Sequence, residues 1–125
     1  MSFVYDAGVL IAAAAGDRDV WADHRARLEL GIAPVTTAPV VGQVSRSARQ
    51  VQLHRFLRGC EVVSFAPSEA HEVGALLAAA GSADIVDAHL VLVAGTSRAT
   101  VLTADVADLT SLSACLPTRV RILSL

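Results

Sequence analysis

Five short apolar runs punctuate this chain: SFVYD (residues 2–6), PVTTA (34–38), CEVVSF (60–65), ATVLTAD (99–105) and RVRILSL (119–125). Between each run and the next lies a stretch with helical periodicity, so strand and helix alternate throughout. Parallel strands need crossover connections of about a dozen residues or more, usually helical. The alternation therefore predicts an α/β fold, a three-layer α/β/α sandwich around a central, mostly parallel sheet. Ligands are then expected at the carboxyl ends of the strands. The 125 residues suit a single domain over 1–125, undivided by any repeat, linker or low-complexity tract.

The helical stretches carry their own punctuation. AGVLIAAAAG (7–16) leaves the first strand directly, and RDVWADHRARLEL (18–30) is amphipathic, with Val20, Trp21, Leu28 and Leu30 apolar and Gly31 as its stop. Thr37 is placed to cap a helix over PVVGQVSRSARQ (39–50), with Pro39 in its first turn. VQLHRFLRG (51–59) adds one or two turns. PSEAHEVGALLAAAG (67–81) has a serine start at Ser68 and a glycine stop at Gly81. Ser82 can cap the helix of GSADIVDAHLVLVAG (81–95), and VADLTSL (106–112) is a short helix before the last strand.

Composition narrows the function. Hydrophobic residues make up 54% of the chain and aromatics only 4%, so Ala, Val and Leu must fill the core. A net charge of −2 argues against a broad basic face for duplex nucleic acid. All ten cationic residues are arginine, which suits bidentate phosphate contacts and also follows from a GC-rich coding bias. Cys60 and Cys115 have no metal-ligand spacing and read as small buried hydrophobes in a reducing compartment. AGVLIAAAAG resembles the apolar part of a signal peptide, but Asp6 precedes it, no positive charge does, and a bilayer takes about 20 residues. A soluble, cytoplasmic protein with no membrane association is expected.

The chemistry gathers in aspartates. Asp84 and Asp87 lie three residues apart, on one helical face, where two like charges about 4 Å apart repel by roughly 4 kcal/mol at an effective dielectric near 20. Asp6 ends the first strand, Asp105 ends the fourth, and Asp108 follows one turn on. In an open parallel sheet those strand ends share one edge, so the carboxylates can converge. Each has an ordinary alternative: Asp6 and Asp105 as helix caps, Asp84 and Asp108 as first-turn acids. Asp87 sits among Ile85, Val86, Ala88 and Leu90, where a carboxylate needs a partner. Crowded carboxylates raise one another's pKa unless a cation relieves them, and Mg2+ or Mn2+ prefers such hard oxygen ligands. His24, His54 and His71 lie on polar faces without ligand spacing, and His89 reads as a hydrogen-bonded histidine rather than a ligand.

Together, VYDAGVLIAA, SADIVDAHLVLVA and VLTADVADL resemble the PIN-domain family, most closely its VapC-type toxins of bacterial toxin–antitoxin pairs, in order and spacing over nearly the whole chain. The resemblance implies a Mg2+- or Mn2+-dependent ribonuclease that activates water for attack on an RNA phosphodiester. By position, Asp6, Asp87 and Asp105 match its catalytic acids and Asp84 an additional aspartate of a subset. Thr103 matches a hydroxyl that orients the Asp105 loop, and Asp108 is a supporting acid. Arg46 and Arg49 on the Gln43 helix are candidate RNA contacts, with Arg98 a third. The family implies a small antitoxin that covers the site, for which AGVLIAAAAG and VVGQV offer a groove unless the core consumes them, and a homodimer.

One position departs: Gln43 stands where the family usually has glutamate, removing a charge from the site for which Asp84 can partly compensate. The rival reading is a PIN-fold module that binds protein or RNA without cleaving it. A phosphorelay receiver would need a late lysine, and the chain has none; a phosphatase with two aspartates around one residue fails because Ala7 and Gly8 follow Asp6.

Overall fold

The computed structural model describes residues 2–125. The strands are β1 (Phe3–Tyr5), β2 (Val35–Thr37), β3 (Glu61–Val63), β4 (Thr100–Thr103) and β5 (Arg121–Ser124). The helices are α1 (Ala7–Ala14), α2 (Arg18–Glu29), α3 (Ala38–Val44), α4 (Val51–Leu57), α5 (Ala70–Ala80), α6 (Ile85–Ser97) and α7 (Val106–Ser113), with a 3-10 turn at Pro67–Glu69. All strand pairings are parallel, in the order β3-β2-β1-β4-β5. From β1 the chain winds outward to β3, then crosses back to β4 and on to β5. Right-handed crossovers place α1–α4 on one face and α5–α7 on the other, and the packing agrees: α1 lies against α2, α3 and α4, and α6 against α5 and α7. The winding reverses between β1 and β4, and a crevice opens at such a switch point.

With strands of three or four residues, helix-to-sheet packing must carry much of the stability. Small residues let the helices approach: Ala13 of α1 and Ala88 and Ala94 of α6 are wholly buried beside Val4, Leu90, Val91 and Val101. The apolar face of α1 is thereby consumed, Val9 and Leu10 included, and Val40 and Val44 of α3 are buried too. Those helices therefore offer no continuous apolar groove to a partner, although Ile11 stays 58% exposed.

Under the α1–α4 face, Tyr5, Trp21, His24 and Phe56 form one aromatic cluster, with the His24 and Phe56 rings 4.0 Å apart. The Tyr5 hydroxyl lies 3.0 Å from His24 Nδ1 and accepts from Arg27 Nη1 at 3.1 Å. The Arg27 guanidinium offers no acceptor, so the tyrosine proton goes to Nδ1. Burial, then the Arg27 charge, lower the His24 pKa and keep that nitrogen an acceptor. The sequence placed His24 on a polar face; it is buried instead, in space that Gly59 leaves open, since a Cβ there would meet His24 Nε2 at 2.8 Å. Leu28 and Leu30, two of the four apolar positions of the amphipathic stretch, are exposed.

Other local expectations also shift. α3 stops at Val44 rather than reaching Gln50, because the Gln50 side chain replaces the helical ladder: Oε1 accepts from Arg46 N and Ser47 N, and Nε2 donates to Val44 O. Arg46 and Arg49 are therefore on a loop. Ser68 caps nothing, and Glu69 Oε1 accepts from Ala66 N in its place. Ser82 accepts from Asp84 N, leaving Asp84 as the cap of α6. Cys115 is exposed, whereas Cys60 is half-buried with its thiol pushed up to about 12 by burial. No single helix among the described residues is long and apolar enough to cross a membrane.

Tyr5→Phe leaves His24 Nδ1 buried without its donor and Arg27 without its acceptor. It is expected to cost about 1–3 kcal/mol, read as a lower urea midpoint at unchanged slope.

Candidate active site

The β1–β4 register sets the site. Tyr5 pairs with Leu102, so Asp6 emerges beside Thr103, and Asp6 N donates to Leu102 O at 3.0 Å. Thr103 is wholly buried; its hydroxyl donates to Asp6 Oδ2 at 2.7 Å and accepts from Asp105 N at 2.8 Å. One side chain thus orients the first acid and ties down the loop that carries another.

Asp6 and Asp105 occupy the N-cap positions of α1 and α7, yet neither carboxylate makes a capping hydrogen bond. Capping therefore does not account for either. Asp84 does cap, accepting from Asp87 N at 3.0 Å, and this bond fixes the two acids at the start of α6. All five aspartates, Asp6, Asp84, Asp87, Asp105 and Asp108, line one cavity of about 230 Å³ together with Gln43. Gly8 belongs to the construction of this site as well. A Cβ there would meet the Ala104 Cβ at 2.7 Å, so only glycine lets α1 approach the loop that leads to Asp105. A glycine in the first turn of a helix, where propensity disfavours it, was the available signal.

The proposed arginines do not line this cavity. Arg46 and Arg49 lie on the loop after α3, with Arg46 Nη1 donating to Ser45 O at 2.7 Å. Arg98 stands with Arg119 and Arg121 where β4 and β5 begin, the opposite edge of the sheet from the acids. His89 also stands apart, wholly buried and stacked on Phe65, with Nε2 3.4 Å from Glu69 Oε1. The hydrogen bond expected of it is not made, as neither ring nitrogen has a hydrogen-bond partner among the described residues.

Crowding shows in the acid equilibria. Burial raises the Asp87 pKa to about 7, aided by the charges of Asp84, Asp6 and Asp105 and by a hydrogen bond that protonated Asp87 shares with Asp84. Asp108 is raised by a hydrogen bond shared with Asp105 and by its charge. Protons thus neutralise part of the cluster, a role that a divalent cation can take over. The donors are all oxygens, since no His or Cys lines the cavity, which fits Mg2+ or Mn2+. Among the described residues no three acids are drawn around one point as a closed ligand set. An ion that keeps several of its waters needs no such closure.

The sign of the pH dependence follows. Asp87 binds its proton more tightly folded than unfolded, so its contribution to stability is full below the unfolded value of 3.8 and is lost as pH rises through about 7. In chelator the urea midpoint should fall between pH 4 and pH 7.5, and Asp87→Asn should flatten that fall.

No family model matches the sequence, and no curated protein does. The fold does have solved counterparts. It is similar to PAE2754 from Pyrobaculum aerophilum (TM-score 0.66, 20% identity, 99% of this chain and 89% of that one). It is similar to a chain of VapBC2 from Rickettsia felis bound to a DNA fragment from their promoter (TM-score 0.71, 17% identity, 100% and 99%). A chain of FitAB bound to an IR36 DNA fragment is likewise similar (TM-score 0.66, 14% identity, 98% and 94%). At such identities the likeness is one of fold.

Proposed function

We propose that the chain is a PIN-type, VapC-like endoribonuclease, the toxin of a toxin–antitoxin pair, and that its acidic cavity holds Mg2+ or Mn2+. The observation that carries this reading is the gathering of five carboxylates at the switch point, where one buried threonine holds both the Asp6 carboxylate and the Asp105 backbone. The likeness to a VapBC2 chain supports the toxin–antitoxin setting. A small antitoxin partner and a homodimer belong to the same reading.

Asp6, Asp84, Asp87 and Asp105 would hold the cation, which supplies positive charge to a phosphoryl group and acidifies a water. Thr103 keeps the Asp6 carboxylate aimed inward and the Asp105 backbone in place. Asp87, in the same cavity, would steer or deprotonate the attacking water. Unloaded, the cavity repels phosphate. Single-stranded or looped RNA is the expected substrate, because A-form duplex hides its base edges. Asp6→Asn, Asp87→Asn and Asp105→Asn should each lower the Mn2+-dependent cleavage rate by about 10²-fold or more. EDTA should abolish cleavage by protein freed of any partner. Full activity in any of the three variants removes that residue from the mechanism.

Gln43 favours a second reading, a binding module that does not cleave. It lines the cavity where a further carboxylate would complete it. Under the nuclease reading, Gln43→Glu should tighten Mn2+ binding about tenfold, measured by calorimetry. Unchanged binding would place Gln43 outside the ion's reach.

A further inference from the structure

A cavity of about 740 Å³ is larger than the acidic one. It lies between α2 and α4, and Arg18, Arg25, Arg55 and Arg58 line it over Trp21 and Gln52, with no carboxylate in its wall. Among the described residues none of these guanidinium groups forms an ion pair. α2 sorts its charges by face: Arg18 and Arg25 look into this groove, while Asp19 and Asp23 line a different cavity. Four of the ten arginines of a chain with net charge −2 are thus concentrated, unneutralised, in one groove. Single-strand binders combine such a cationic groove with an aromatic surface.

Along the chain, exposed donors run from the acids to this groove. Gln43, Arg46, Arg49, Gln52, Arg55 and Arg58 recur at every third residue, and all six are exposed. Gln43 lines the acidic cavity and Gln52, Arg55 and Arg58 the cationic groove. The nine residues from Gln43 to Gln52 span at most about 30 Å. We propose that the α2–α4 groove binds the phosphate backbone of a single RNA strand whose neighbouring segment, led along Arg49 and Arg46, enters the acidic cavity. The substrate class rests on the nuclease reading; the anion site rests on the groove itself. Arginine suits this role because its planar fork pairs with phosphate oxygens.

The test is anisotropy of a labelled single-stranded RNA in EDTA over a salt series, with Mn2+-dependent cleavage read separately. Joint Arg18→Gln, Arg25→Gln, Arg55→Gln and Arg58→Gln should weaken binding and flatten the log–log salt slope by about 0.7 per lost phosphate contact, up to about 3 for all four. The two pairs, one on each helix, should each remove about half, and lysine at all four positions should restore the slope. Unchanged affinity and slope in the folded quadruple variant would overturn the groove even if cleavage persists, leaving the nuclease reading intact. RNA held through the groove without cleavage at any Mn2+ concentration would support the groove and sink the nuclease. A polyglutamate peptide that loses binding in the variant while RNA does not would overturn the proposal and assign the groove to an acidic protein segment.

Discussion

The contact on which the site depends is the buried Thr103 hydroxyl, shared between the Asp6 carboxylate and the Asp105 backbone. It exists because β1 and β4 are parallel neighbours in a register that sets Tyr5 against Leu102. Residues 97 positions apart are thereby held at 2.7 Å. A parallel pair in which the winding reverses leaves its carboxyl ends uncovered by a crossover helix. That gap is where the acids collect.

The gathering has an electrostatic cost, and the molecule meets it in visible ways. Asp6 receives the Thr103 hydroxyl, Asp84 receives the Asp87 amide, and Asp87 and Asp108 hold their protons more tightly than free carboxyls do. Gly8 lets the cluster close up, since a Cβ there would meet the Ala104 Cβ on the loop that leads to Asp105.

Charge is distributed over this fold rather than averaged. The acids occupy the crevice at the strands' carboxyl ends, and Arg98, Arg119 and Arg121 the opposite sheet edge. Four further arginines share the groove between α2 and α4. A net charge of −2 conceals this separation entirely.

The alternation of short apolar runs with helical stretches determined the α/β class, and each of the five runs contains an observed strand, because burial on a sheet demands that pattern locally. The identity of the clustered acids was legible for a similar reason: residues that follow parallel strands share an edge whatever the loops do. Other features depended on partners distant in the chain. His24 is buried because Tyr5 and Gly59 make room and a hydrogen bond for it, and α3 ends early because Gln50 folds back onto its last turn. Arg18 and Arg58 meet across a groove only once two helices have packed. Periodicity reports how a segment faces the core, whereas side-chain competition for backbone groups and charge convergence between helices are settled only when the chain has closed on itself.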